Sequence, residues 1–206
     1  AIWVAKKRYI LNSHDIEGVR YKEPKLKIMG VEAVKSSTPA PCREKIKDAL
    51  KIIMNNDSKV LNSFIQDFRK DFMNLKPEMV AYPRSVNGLN KWTESHNLFK
   101  KGAPIHVKGA ILYNHLVKDK KLQGKYPYIQ EGDKIKFLHM KTPNTYQSTS
   151  ISFMTKLPEE LNLNNFVNYE MQFEKSFVEP LKFITDIINW QIDGSYGTQG
   201  TLEDFF

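Results

Sequence analysis

Two apolar stripes at helical spacing, one directly after the other, constrain this chain more than any other feature. Ile46, Ala49, Leu50, Ile53 and Met54 recur at steps of three and four, and Asn55-Asn56-Asp57 closes the run. Val60, Leu61, Phe64, Ile65, Phe68, Phe72 and Leu75 then mark one face of a second helix. Upstream, Ser36-Ser37-Thr38-Pro39 offers hydroxyls able to cap and a proline tolerated in a first turn. Each helix has a single apolar stripe to bury, so the two are expected to pack as a helical hairpin with both stripes in the core.

Around this hairpin the pattern is mixed. Trp3 to Asn12 reads as a strand, with Tyr9 and Leu11 on one face and Arg8 and Ile10 on the other. Gly18 to Glu23 reads as a second strand, joined to the first through the turn chemistry of Asp15-Ile16-Glu17-Gly18. From Val80 to Gly102 the periodicity fades and Pro83, Gly88 and Asn90 interrupt it, which predicts a long surface loop. Ile105 to Val117 is helical or mixed, Lys134 to Met140 alternates like a strand, and Thr149 to Met154 is its expected partner. Glu160 to Trp190 is mostly helical, with Pro180 kinking or dividing it. Asp193-Gly194-Ser195-Tyr196-Gly197 reads as a flexible lead to the last residues. A strand already under way at residue 1, in a chain that does not begin with Met, suggests a piece of something longer.

Composition narrows the function classes. At 206 residues the chain can bury one good core or two small ones without crosslinks. No run approaches the roughly 18 to 20 apolar residues of a membrane-spanning helix, and Ala1-Ile2-Trp3-Val4-Ala5 is too short for a signal-peptide core. The single cysteine, Cys42, excludes a disulfide framework and a Cys-rich zinc site and suits a reducing, cytoplasmic setting. His14, His96, His106, His115 and His139 lack zinc-site spacing. The net charge of +8 is uneven: residues 1–125 hold 25 Lys and Arg against 12 Asp and Glu, whereas residues 126–206 hold 6 against 11. Such asymmetry fits a face for a polyanion as well as it fits a solvated surface.

Two blocks concentrate the cations. In Lys6-Lys7-Arg8-Tyr9, strand alternation puts Lys7 and Tyr9 on one face and Lys6 and Arg8 on the other, a spacing able to track a phosphate backbone. Taken alone, the block is better explained as an edge strand guarded by lysine. In Glu23-Pro24-Lys25-Leu26-Lys27-Ile28-Met29-Gly30, Lys25 and Lys27 project together, and Ser36 and Ser37 at the following helix start offer a phosphate seat. Alone, that block is better explained as a simple strand-to-helix connection.

Together, the strand-turn-strand with KKRY, then EPKLKIMG and KSSTP, closely resembles the end of the palm and start of the thumb in family B DNA polymerases. The nearest likeness is to the replicative polymerases of large tailed bacteriophages. The resemblance implies that Lys6, Lys7, Arg8 and Tyr9 lie against the primer terminus and sense the minor groove of the new duplex. It extends more loosely over nearly the whole chain. Gly102 to Asn114 (GAPIHVKGAILYN) looks like the family's thumb segment near the duplex backbone, which brings in His106, Lys108, Tyr113 and Asn114. Arg84 in the preceding loop is a further candidate DNA contact.

The C-terminus, Gln199-Gly200-Thr201-Leu202-Glu203-Asp204-Phe205-Phe206, fits the pattern of sliding-clamp-binding peptides. One helical turn would gather Leu202, Phe205 and Phe206 into an apolar plug while Gln199 bonds the clamp's backbone. The alternative is a tail folded back on its own core.

Two-metal nucleotidyl transfer needs carboxylates fixed on rigid neighbouring strands. Asp15 and Glu17 lie in a turn, Glu131 and Asp133 flank a glycine, and Glu159-Glu160 follow a proline. The family's catalytic aspartates lie upstream of KKRY, outside this sequence, so the chain alone is not expected to polymerise. Mg2+ and dNTP are implied only for the complete polymerase, and no cofactor or metal for this chain.

The expected fold is α+β. Residues 1–35 form the end of the palm, and residues 36–192 a mainly helical thumb with a small β element. Residues 193–206 form a linker and clamp-binding tail. The expected partners are primer-template duplex, the sliding clamp and the rest of the polymerase, with no membrane, in the cytoplasm of a phage-infected host. The rival reading is a stand-alone, clamp-tethered DNA-binding accessory protein; an RNA-binding protein is more distant.

Overall fold

The computed structural model describes residues 1–94 and 98–192. The fold is α+β, with helices and two small antiparallel sheets of three strands each. The described residues divide into two compact units, the first of residues 1–35, 42–72 and 173–192, the second of residues 36–41, 73–94 and 98–172.

In the first unit, β1 (Ile2–Ala5), β2 (Arg8–Ile16) and β3 (Val19–Met29) form a meander in that order. The single strand expected over residues 3–12 is therefore two. Lys6 and Lys7 make the turn between them, with Lys7 in the left-handed region at φ 63°. The alternation expected for Lys6 and Lys7 does not apply, because a turn breaks the pleat. From Tyr9 onward it holds: Tyr9 faces Trp3 and Met29, while Ile10 faces Ile2 and Ile28 on the other side and is fully buried. Gly30, at φ 67°, closes the block, and a Cβ there would run into the Lys7 carbonyl oxygen.

Helices α1 (Ala40–Asn55) and α2 (Ser58–Met73) follow the two apolar stripes. Asp57 stops one and starts the other, its carboxylate accepting the N–H groups of Lys59 and Val60 at 3.0 Å each. Lys45 of α1 lies over the rings of Phe64 and Phe68 in α2, residues about as far beyond the turn as Lys45 is before it. Phe68 and Phe72 continue the core into Phe173 and Phe177, with ring centroids 4.7 to 5.7 Å apart across the two pairs. The last helical stretch passes through a π-helical turn, Glu174–Val178, before α7 (Glu179–Thr185). The wide turn sits directly ahead of Pro180, which has no N–H to donate and would crowd the carbonyl four residues back.

In the second unit, β4 (Tyr82–Ser85), β5 (Lys134–His139) and β6 (Ser150–Phe153) form a sheet with β5 in the centre. The loop expected over Val80–Gly102 is corrected here. It contains the end of α3 (Pro77–Val80), all of β4 and α4 (Leu89–Trp92), and Val80, Ala81, Val86 and Leu89 are buried. Pro83 disguised β4, yet an edge strand tolerates proline because one side of its backbone has no ladder to join. Helix α5 (Ile105–Asp119) packs on β6 so closely that only Gly109 fits at the contact. Ser150 and Ser152 of β6 donate to the carbonyls of Ile105 and His106, each at 2.7 Å. Short α6 (Tyr169–Phe173) ties in through Gln172, whose side chain donates to Val80 O and accepts His139 N–H. No described helix is long and apolar enough to cross a membrane.

Candidate nucleic-acid interface

The open side of the first sheet carries five of the candidate residues, Lys6, Lys7, Tyr9, Lys25 and Lys27. Register places Trp3, Tyr9 and Met29 in one row across the strands. The next positions on that side pair Leu11 with Lys27 and Ser13 with Lys25. Lys6 and Lys7 are exposed at the turn, Lys25 is exposed and Lys27 half-buried. Lys25 Nζ sits 3.9 Å from the centre of the Tyr21 ring, which holds its charge above the sheet. Arg8 behaves differently from its neighbours. Its guanidinium bonds Glu32 Oε1 at 2.6 Å and Gly30 O at 3.0 Å and lies over Phe183. Glu32 also takes Lys35 at 2.7 Å. Arg8 therefore anchors the Gly30 turn, and its charge is neutralised within the fold.

The second unit gathers Ser37, Arg84 and His106. Arg84 Nη1 donates to Ser37 O and Pro83 O, both at 2.9 Å, and its guanidinium lies 5.5 Å from the Tyr82 ring. His106 is half-buried, and its pKa is lowered first by that burial and then by the nearby Arg84 charge. At neutral pH it is an uncharged ring that can share a hydrogen bond with a phosphate but cannot pair with it as a cation. It stands in the first turn of α5, whose N-terminal end has no side-chain cap. Lys108 is half-buried in the next turn, with its ammonium 5.5 Å from the Phe99 ring. Ser36 is exposed in the turn before α1, which begins at Ala40.

Tyr113 and Asn114 are placed otherwise than a DNA contact requires. Tyr113 is buried, its hydroxyl 3.4 Å from Pro127 O, and burial pushes its pKa up to about 12. Asn114 exchanges two 2.8 Å hydrogen bonds with the backbone of Ile129. Both side chains hold the segment 127–129 against α5, and helical periodicity alone could not separate that role from an exposed one.

Four of the carboxylates considered above have local work. Asp15 accepts Gly18 N–H at 3.0 Å, and Asp133 accepts Gln130 N–H at 2.7 Å. Glu131 accepts the N–H groups of Gly88 and Leu89 at the start of α4. Glu160 bonds Lys125 and the Tyr126 hydroxyl, which together lower its pKa to about 2. Among the described residues no group of three or more His, Cys, Asp and Glu could hold a metal ion. Cys42 is fully buried 3.2 Å from Ser176 Oγ, and burial raises its thiol pKa to about 12, the opposite of an activated nucleophile. Gln199, Leu202, Phe205 and Phe206 lie outside the described residues, as does His96. Trp3 and Met29 are the residues that sequence reasoning passed over. The alternation that exposed Tyr9 would have exposed Met29 as well, given the pairing of β2 with β3.

No family model matches the chain. It is 31% identical over 183 residues to the DNA-directed DNA polymerase of Enterobacteria phage T4, a match spanning 87% of this chain and 20% of that protein. It is 31% identical over 209 residues to the DNA-directed DNA polymerase of Escherichia phage RB69, spanning 99% of this chain and 22% of that protein. The matches thus account for nearly all of this chain and about a fifth of each relative. Over nearly its whole length, the chain is a relative of the phage DNA-directed DNA polymerases.

Proposed function

We propose that this chain is the C-terminal part of a replicative DNA polymerase, with residues 1–35 ending the palm and residues 36–192 forming the thumb. In this reading it grips primer-template duplex behind the active site, and residues 193–206 tether it to a sliding clamp through Gln199, Leu202, Phe205 and Phe206. The observation that carries the reading is the open face of β1–β3, where Lys6, Lys7, Tyr9, Lys25 and Lys27 stand together on the block most like the polymerases. Ser36, His106, Lys108 and the uncapped start of α5 add a second seat for backbone phosphates. Arg8, Arg84, Tyr113 and Asn114 support these surfaces from within. The thumb contacts go mainly to phosphates and sugars and position the duplex without reading its sequence, whereas Lys6, Lys7 and Tyr9 test the minor groove at the primer terminus. Mg2+, dNTP and nucleotidyl transfer belong to the complete polymerase. A tail burying three apolar side chains, at about 1.5–3 kcal/mol each before ordering costs, would hold the clamp weakly, on the order of micromolar. Attachment to DNA supplies the second point of tethering.

The test is a titration of the chain with labelled primer-template duplex at several salt concentrations. Four or five phosphate contacts predict a log–log slope near about −4. Lys6→Ala and Lys7→Ala should each reduce the slope by about 0.9. Absence of duplex binding at low salt would remove the grip from this chain.

A further inference from the structure

The turn between β1 and β2 breaks a local rule. Ala5 pairs with Arg8, so Lys6 and Lys7 reverse the chain between them, and Lys7 does so at φ 63°. The second position of such a turn, when left-handed, ordinarily holds glycine or asparagine, because a Cβ there crowds the backbone. A lysine persists in that conformation where its surroundings over-determine it, and here residues more than twenty positions away do so. Gly30, itself left-handed at φ 67°, admits the Lys7 carbonyl into space that a Cβ would occupy. Arg8 donates from Nε to Gly30 O at 3.0 Å and from Nη2 to Glu32 Oε1 at 2.6 Å. Its guanidinium carbon lies 5.3 Å from the centre of the Phe183 ring in α7. Glu32 opens the 3₁₀ turn Glu32–Val34 and accepts Lys35 on the same oxygen at 2.7 Å, so a second cation steadies it for Arg8.

A relaxed turn would serve the hairpin better, so the strained pair of lysines points to the site and not to the fold. A lysine ammonium rides on a flexible stem and follows an acceptor wherever it moves. Fixing the backbone beneath it narrows that reach, and a displaced acceptor in the minor groove is then missed. Resting on the polymerase reading above, we propose that Gly30, Arg8 and Glu32 are positioning residues that lock the Lys6–Lys7 turn in its left-handed conformation. That conformation, beyond the charge of the lysines, sets how sharply a mispaired primer end is told from a matched one. Arg8 acts through the turn and not on a phosphate, since Glu32 already neutralises it.

The experiment has one arm without DNA and one with it, both on the full chain. Trypsin can cut after Lys6, Lys7, Lys25 and Lys27, and each cut requires the local backbone to open. Arg8→Lys keeps the charge but loses the fork that reaches both Gly30 O and Glu32, and Glu32→Gln removes the anion. Neither variant adds or removes a cleavage site. Each should speed cleavage after Lys6 and Lys7 at least about fivefold and leave cleavage after Lys25 and Lys27 unchanged. In the second arm the same proteins are titrated with labelled primer-template duplex whose primer end is matched or mismatched. The unmodified chain should prefer the matched end, and both variants should bring the two affinities together. Arg8→Ala should leave the salt slope on matched duplex unchanged, where a direct phosphate contact would lower it by about 0.9. Gly30→Ala should behave as Arg8→Lys does; should it fail to fold, Arg8→Lys and Glu32→Gln still decide. Unchanged cleavage in both variants would overturn the proposal, as would faster cleavage at every site alike, which is what loss of the whole sheet would give. Discrimination retained despite a selectively opened turn, or a lowered slope in Arg8→Ala, would overturn it too. An unmodified chain that binds no duplex, with selective opening of the turn in both variants, would sink the polymerase reading and uphold the lock.

Discussion

Cys42 shows how far the surroundings of a residue outweigh its position in the sequence. A thiol in the first turn of a helix is placed to be acidified, yet complete burial beside Ser176 moves it the other way, to about 12. The native protein should therefore resist thiol alkylation at neutral pH, and labelling should track unfolding by denaturant. Rapid labelling of the folded chain would contradict the burial. His106 follows the same logic with opposite charge: burial and Arg84 disfavour its cation. Its contribution to stability is present above the ordinary histidine range and is lost as pH falls through its lowered value.

Among the elements, the α5–β6 contact has no room for an added methyl group. A Cβ on Gly109 would meet Ser152 Oγ at 2.6 Å, Ser152 N at 2.7 Å and Ile151 C at 2.8 Å, and backbone atoms cannot swing aside. Gly109→Ala should cost about 1–3 kcal/mol through overpacking, lowering the melting temperature by about 2–12 °C. Calorimetry would check it, and an unchanged melt would mean the helix can lift from the strand without penalty. The start of α4 depends on a contact of a different kind. Gly88 precedes it in a left-handed conformation with no local cap, and Glu131 reaches across to accept both Gly88 and Leu89 N–H groups. Capping rules look for partners within three residues, so this cap, like β4 with its proline, was hidden from the sequence.

For the whole molecule, pH should bound stability from both sides. Glu160 is held down to about 2 by Lys125 and Tyr126, so its contribution is present above the ordinary carboxylate value of 4.5 and fades as pH falls toward 2. Cys42 and Tyr113 are raised to about 12, so theirs is complete below the ordinary values of 9.0 and 10.0 and is lost as pH rises from there. Melting temperature measured from pH 2 to 11 should show both limbs, and Glu160→Gln should flatten the acid one. A Glu160→Gln profile that matches the unmodified chain would show that this exposed cluster contributes nothing.

The sequence by itself determined the two long helices, the β5–β6 pair and the α+β class, because each rests on periodicity within one segment and burial of one face. It also marked the cation blocks at Lys6–Tyr9 and Lys25–Lys27, since lysine and tyrosine in a strand advertise an open face wherever the strand packs. Only the tertiary structure decided which cations remain available. Arg8 and Arg84 read as surface charges until Glu32, Gly30 and Ser37 arrive from distant positions to bind them. It also decided that Tyr113 and Asn114 face the 127–129 segment, and that Trp3, Tyr9 and Met29 make one row. These are pairings across the fold, and hydrogen bonds and strand registers between remote residues leave no period in the chain to read.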